Sequence, residues 1–169
     1  MKDFDPRDAL LATLAAADPP LRTPALVVDL AQVEANVARV ITALGAAQCW
    51  RPHVKTVKQS AIVALVLAAG VHTFKCATLD ELAMVLATAG AQPIDILLAY
   101  PLPPHELARL AAIADAHPQH RIGALADDPD HLATIARTGD RLERWIDVDV
   151  GMHRTGSSAA IWRDAIARG

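Results

Sequence analysis

Residues 73–100, TFKCATLDELAMVLATAGAQPIDILLAY, decide the fold. Their ends, 73–77 and 95–100, are short apolar runs of strand length. Between them residues 79–89 set apolar side chains near a 3.6-residue period, which predicts a helix. Thr78 stands three residues before Glu81, the spacing of a capping box, and Gly90 follows the helical run as a C-cap glycine would. The same alternation runs outward in both directions. Strands are expected at 25–30, 49–55, 121–126 and 145–150, and helices at 31–44, 60–69, 104–116, 129–137 and 158–168. Gly45, Gly70 and Gly139 close helical runs, and Pro104 and Pro129 open them. Alternating strands and helices point to an α/β fold with a parallel sheet.

Composition removes several functional classes. The chain has 169 residues, a formal net charge of -3, 53% hydrophobic residues and 4% aromatic residues. A chain of that size buries roughly 70% of its unfolded surface, so it can form a sizeable core. The acidic balance and the scarcity of aromatic stacking platforms argue against a nucleic-acid partner. Cys49 and Cys76 cannot build a disulfide scaffold and read as buried thiols in a reducing compartment. No apolar run approaches the roughly 18 residues of a membrane span. The short apolar run 9–17 follows Asp3, Asp5 and Asp8, the wrong charge for a signal peptide. It reads instead as a helix begun after Pro6 and stopped by Pro19 and Pro20. A cytoplasmic protein without a membrane partner is therefore expected.

Two parallel-sheet architectures compete. A nucleotide-binding doubly wound domain usually carries a glycine-rich turn after its first strand, and no such motif occurs in this chain. Polar residues gather instead at the ends of several strands: His53 and Lys55, Thr78, Tyr100, Asp127, then His153 and Arg154. That distribution is the habit of a (β/α)8 barrel, although a complete barrel takes about 250 residues.

The densest chemistry lies in Arg51-Pro52-His53-Val54-Lys55-Thr56-Val57-Lys58. As the end of a strand, it would set Arg51, His53 and Lys55 on one face and Pro52 and Val54 on the other. Like charges from Arg51, His53 and Lys58, with desolvation, would then disfavour the ammonium form of Lys55. A neutral amine is what Schiff-base chemistry requires. A solvated basic turn fits the same local sequence. The second cluster is Asp147-Val148-Asp149-Val150-Gly151-Met152-His153-Arg154-Thr155-Gly156. Its two aspartates alternate with apolar residues and so need partners if the strand is buried. Gly151 and Gly156 bracket a tight loop presenting His153 and Arg154, and a guanidinium suits a planar anionic oxygen. A surface turn with Asp–Arg pairs is the alternative.

Taken together, T-P-A-L-V-V-D-L at 23–30, Asn36, R-P-H-V-K-T at 51–56 and D-V-G-M-H-R-T-G at 149–156 resemble the fold-type III pyridoxal-phosphate enzymes. Within that group the chain is similar to the D-threonine aldolase and D-serine dehydratase family, which shares the alanine racemase N-terminal barrel. The resemblance covers only the N-terminal portion of such an enzyme. It implies a partial (β/α)8 barrel with about five of the eight strands, following an N-terminal helix and linker at 1–22. Residues 23–169 would form the incomplete cofactor-binding barrel, with 23–30 a strand of a β-rich second domain. It also implies pyridoxal 5'-phosphate held covalently by Lys55, with Arg154 near its phenolic oxygen and His53 as a further cofactor-side or substrate-side group.

The activity implied is a lyase acting on D-amino acids, in an enzyme that is a homodimer when complete. A racemase of the same fold, a non-catalytic cofactor-binding protein and an inactive fragment remain open. Full-length relatives are expected to bind a divalent metal, but no position here matches the ligands, and no metal site is expected within these residues. Val57 departs from the histidine that many members carry at that position, which bears on substrate contacts.

Overall fold

The computed structural model describes residues 6–22 and 24–167. Thr23 and Arg168, which bounded two expected elements, lie outside them. Helix α1 covers Pro6–Ala15 and α2 covers Leu30–Leu44. They are followed by α3 (Ser60–Ala68), β1 (Thr73–Cys76), α4 (Leu79–Ala89), β2 (Asp95–Leu98) and α5 (Pro104–Ala116). The chain then forms β3 (Arg121–Ala126), α6 (Pro129–Thr138), β4 (Leu142–Ile146) and α7 (Ala159–Ala167).

Capping chemistry sets several helix boundaries. The Asp29 carboxylate accepts the Gln32 N–H at 3.1 Å to open α2, and Asp128 accepts the His131 N–H at 2.7 Å to open α6. Both satisfy N–H groups that a helix cannot pair internally. At α4 the Thr78 hydroxyl accepts the Glu81 N–H at 3.2 Å. The reciprocal bond is displaced by one residue: the Glu81 carboxylate accepts from the N–H of Ala77, at 2.7 Å, in place of the cap residue itself. Gly45 closes α2 in the left-handed region at φ 83°. Gly139 is different, with an extended backbone. A Cβ there would come within 2.9 Å of the Ala111 Cβ, so close helix packing requires the glycine.

The four strands are all parallel and lie in sequence order, β1-β2-β3-β4. Alternate side chains, Phe74, Cys76, Ile96, Leu98, Ile122, Ala124 and Ala126, are buried in one core with Val63, Leu82, Val85, Leu107, Leu110 and Ile135 of the helices. The other set, with Thr73, Lys75, Asp95, Arg121 and Gly123, forms the face that would line a barrel. Across it the Trp145 indole lies so close to Gly123 that an added Cβ would meet the ring at 2.7 Å. The Arg51 guanidinium sits 5.3 Å from the Trp145 ring centroid, within cation–π range. The molecule is a partial barrel.

Three expected strands are corrected. Residues 49–55 do not form one: short 3-10 turns occupy Ala47–Cys49 and Val54–Thr56, and a single parallel bridge joins His53 to Lys75. Pro52 has no N–H to continue a ladder. The barrel's first strand position is thus one bridge, and four full strands follow. Cys49 is consequently exposed, whereas Cys76 is buried in β1 with its thiol pushed up to about 12, first by burial and then by the Glu81 charge. Residues 25–29 lie outside any strand, with Leu26 89% exposed. The last strand ends at Ile146, and residues 147–150 retain only a bridge between Val148 and Ser157. Val148 and Val150 are exposed beyond β4, the edge strand.

The burial pattern makes a contrast measurable by urea denaturation. Ile96→Ala, at a fully buried position of β2, should cost about 2–5 kcal/mol, as large-to-small core changes do. Leu44→Ala, at a position left exposed near the end of α2, should stay within about 0.5 kcal/mol of the parent.

Candidate active site

Lys55 sits in the tight turn Val54–Thr56, at the same end of the sheet as the C-termini of the strands. The turn is secured from within. Val54 is 2% exposed and its carbonyl accepts the N–H groups of both Val57 and Lys58, each at 2.9 Å. On its N-terminal side, the Lys75 N–H donates to the Pro52 carbonyl at 2.8 Å. The Lys55 side chain is exposed. Its ammonium makes no hydrogen bond or ion pair among the described residues.

The like-charge cluster expected around Lys55 is dispersed. Arg51 reaches the opposite end of the sheet, where it donates to Asp95 Oδ1 at 2.7 Å and to the carbonyls of Phe74 and Asp95, each at 3.3 Å. Arg121 continues that chain of charges to Glu143, with Nε 2.6 Å from the carboxylate. Lys58 pairs with Glu81, Nζ to Oε1 at 3.3 Å. His53 stays with Lys55: its Nδ1 faces the Lys55 backbone N–H at 3.4 Å, a weak contact. Burial pushes the His53 pKa below its ordinary value, and the charges of Lys55 and Lys75 push it further the same way.

Lys75 is not among the candidate residues that the sequence motifs single out. Its backbone bridges His53, and its side chain lines a cleft of about 310 Å³ together with Leu125, Asp147, Asp149, Arg154 and Thr155. The alternation of β1 held the signal. Phe74 and Cys76 face the helices, so the lysine between them turns to the other face. Lys55 is not among the residues lining this cleft. Lys75 connects the two clusters, through its backbone to His53 and through its side chain to the cleft of Arg154.

The second cluster folds as expected from its glycines and aspartates, though as a loop. Asp149 accepts the backbone N–H groups of Gly151 at 2.9 Å and His153 at 3.0 Å, and its other oxygen meets the His153 ring at 2.7 Å. The His153 backbone bond, then that of Gly151, holds the Asp149 carboxyl down to about 2. The Thr155 hydroxyl donates to Asp147 Oδ2 at 2.8 Å, and the buried Trp162 indole donates to the Asp147 carbonyl at 2.7 Å. Gly156 has φ 89° and would place a Cβ 2.8 Å from that carbonyl oxygen, so only glycine fits. Both aspartates therefore find partners inside the loop. Arg154 is exposed and makes no hydrogen bond or ion pair among the described residues.

The alanine racemase N-terminal domain matches residues 28–169. The chain belongs to that family. Within it, the alanine racemase N-terminal domain described here is 32% identical over 144 residues to D-threo-3-hydroxyaspartate dehydratase of Delftia sp. (strain HT23), covering 82% of this chain and 37% of the relative. It is 32% identical over 148 residues to D-threonine aldolase of Arthrobacter sp, covering 80% and 36%. Among solved structures, D-threonine aldolase from Filomicrobium marinum superposes with a TM-score of 0.73 at 21% identity, over 88% of this chain and 41% of that one. A variant of D-threo-3-hydroxyaspartate dehydratase gives 0.71 at 28% identity, over 96% and 44%. The chain thus spans under half the length of the relatives it matches.

The surroundings of His53 carry a pH consequence. Its folded pKa lies below the unfolded value near 6.5, so the unfolded chain binds more protons between the two values. This group's contribution is complete above about 6.5 and is lost as pH falls through the folded pKa. Following the imidazole by NMR, Lys75→Met should move the His53 midpoint upward. An unchanged midpoint would separate Lys75 from His53.

Proposed function

We propose that this alanine racemase N-terminal domain carries pyridoxal phosphate covalently on Lys55 and that the protein it represents is a lyase acting on D-amino acids. The observation that carries the reading is the placement of Lys55. An exposed, unengaged ammonium stands on a hydrogen-bonded turn at the strand-end side of a partial barrel, beside an imidazole whose pKa its surroundings push down. Arg154, also unengaged, lines the neighbouring cleft. On this reading the chemistry of the two side chains suits the cofactor. Lys55 supplies the amine for attachment, and Arg154 a planar cation for an anionic ring oxygen. The D-threonine aldolase and D-threo-3-hydroxyaspartate dehydratase relatives support the lyase assignment.

Bound pyridoxal phosphate supplies an electron sink for the negative charge that develops at an amino acid's Cα. The chain's own groups do the rest. Lys55 Nζ, when free as an amine, can take a proton on one face of a bound substrate. His53, with its depressed pKa, accepts a hydrogen bond without adding to the positive charge around Lys55 and Lys75. On the same reading residues 23–30 belong to a β-rich second domain, and the whole protein is a cytoplasmic homodimer. Among the described residues no group of three or more histidine, cysteine, aspartate or glutamate side chains is placed to hold a metal ion. No step is assigned to one.

Absorbance spectroscopy tests the proposal. Adding pyridoxal phosphate should produce a Schiff-base band that survives Lys75→Ala and disappears in Lys55→Ala. D-threonine or D-threo-3-hydroxyaspartate should perturb the band more than the L-enantiomers. A band of equal strength in Lys55→Ala would remove Lys55 from its role.

A further inference from the structure

Glu81 is 5% exposed, one of two buried polar residues among those described, and it does more than cap α4. The Thr78 hydroxyl already meets the Glu81 N–H. The Glu81 side chain passes the cap residue and accepts the Ala77 N–H with Oε2 at 2.7 Å, which leaves Oε1 buried with no hydrogen-bond donor in place. Oε1 instead faces the Lys58 ammonium at 3.3 Å. A buried carboxylate strongly favours a countercharge. Lys58, three residues beyond Lys55, supplies it.

The backbone of Lys58 supports the same arrangement. It lies in the left-handed region, with φ 46°, a conformation that a lysine adopts only where its surroundings enforce it. Its N–H returns to the Val54 carbonyl, so the turn doubles back and brings the Lys58 side chain toward the N-terminal end of α4. Lys55 is thereby anchored on both flanks. Before it, Pro52 and His53 are bound to β1; after it, Lys58 is bound to the first turn of α4.

We infer that Glu81 and Lys58 form an electrostatic clamp that positions the Lys55 turn, with Glu81 as the positioning residue. This inference rests on the reading of Lys55 as the cofactor lysine. The pair sets where Lys55 Nζ can reach without touching the cofactor itself. Misplacing a reacting group by about 1 Å can cost on the order of a hundredfold, so the clamp should register in cofactor attachment.

Four variants of the full chain separate positioning from stability. Lys58→Met should speed hydrogen exchange at the Val57 and Lys58 amides and weaken pyridoxal-phosphate attachment about tenfold or more. Lys58→Arg should restore both. Lys58→Met combined with Glu81→Gln removes the unpaired buried charge, so its thermal midpoint should recover while attachment stays weak. Lys55→Ala serves as the control for the underlying reading. Attachment that recovers with stability in the double variant, or that is unchanged in Lys58→Met, overturns the clamp while leaving Lys55 in place. Attachment undiminished in Lys55→Ala overturns the cofactor-lysine reading itself, and the clamp's role with it.

Discussion

A single backbone hydrogen bond, from the Lys75 N–H to the Pro52 carbonyl at 2.8 Å, ties the lysine turn to the sheet. Pro52 can accept there but has no N–H with which to extend the ladder back toward residues 49–51. The chain then leaves the sheet at His53 and tightens into the 3-10 turn that carries Lys55. A longer ladder would have drawn Lys55 into the strand. The short one leaves its side chain free at the rim, with Val54 buried beneath it as the anchor.

Charge is sorted along the sheet. At the N-terminal ends of the strands, Arg51, Asp95, Arg121 and Glu143 neutralise one another in a row that runs from the lysine segment to the edge strand. Exposed members of such a row contribute little individually to stability. Its effect on the site is to engage Arg51, which would otherwise be available to crowd Lys55. At the opposite end, the Asp147 and Asp149 carboxylates are engaged inside their own loop, and Lys55 and Arg154 keep unengaged cationic heads.

The helices and the first three strands, β1 to β3, were legible in the sequence because their signals are local. Capping by Asp29, Thr78 and Asp128, and first-turn prolines at 104 and 129, mark boundaries that depend on neighbours only a few residues away. The lysine strand was not legible. Its apolar-polar alternation resembled a strand, but whether residues pair is decided by hydrogen bonds to β1 some twenty residues away; Pro52 cannot extend the ladder before the His53–Lys75 bridge, and the 3-10 turn at Val54–Thr56 ends it after. The end of β4 was misjudged for a related reason: Asp147 and Asp149 alternate like strand residues, while their carboxylates bind the loop that ends the ladder. Within the site, the motif residues Lys55, His53 and Arg154 were readable as types and spacings. Lys75 was not, because its importance comes from the face it occupies and from its two neighbours in space. The division of Arg51 and Lys58 between opposite ends was likewise invisible without Asp95 and Glu81.

On the proposed function, Lys55 on its hydrogen-bonded turn is the point of cofactor attachment. The chain's lysines are Lys2, Lys55, Lys58 and Lys75, so attachment can be assigned residue by residue. Reduction of the pyridoxal-phosphate adduct with borohydride, followed by quantitative peptide mapping, should recover the label predominantly on Lys55. A label concentrated on Lys75, or spread evenly over the four, would contradict the account.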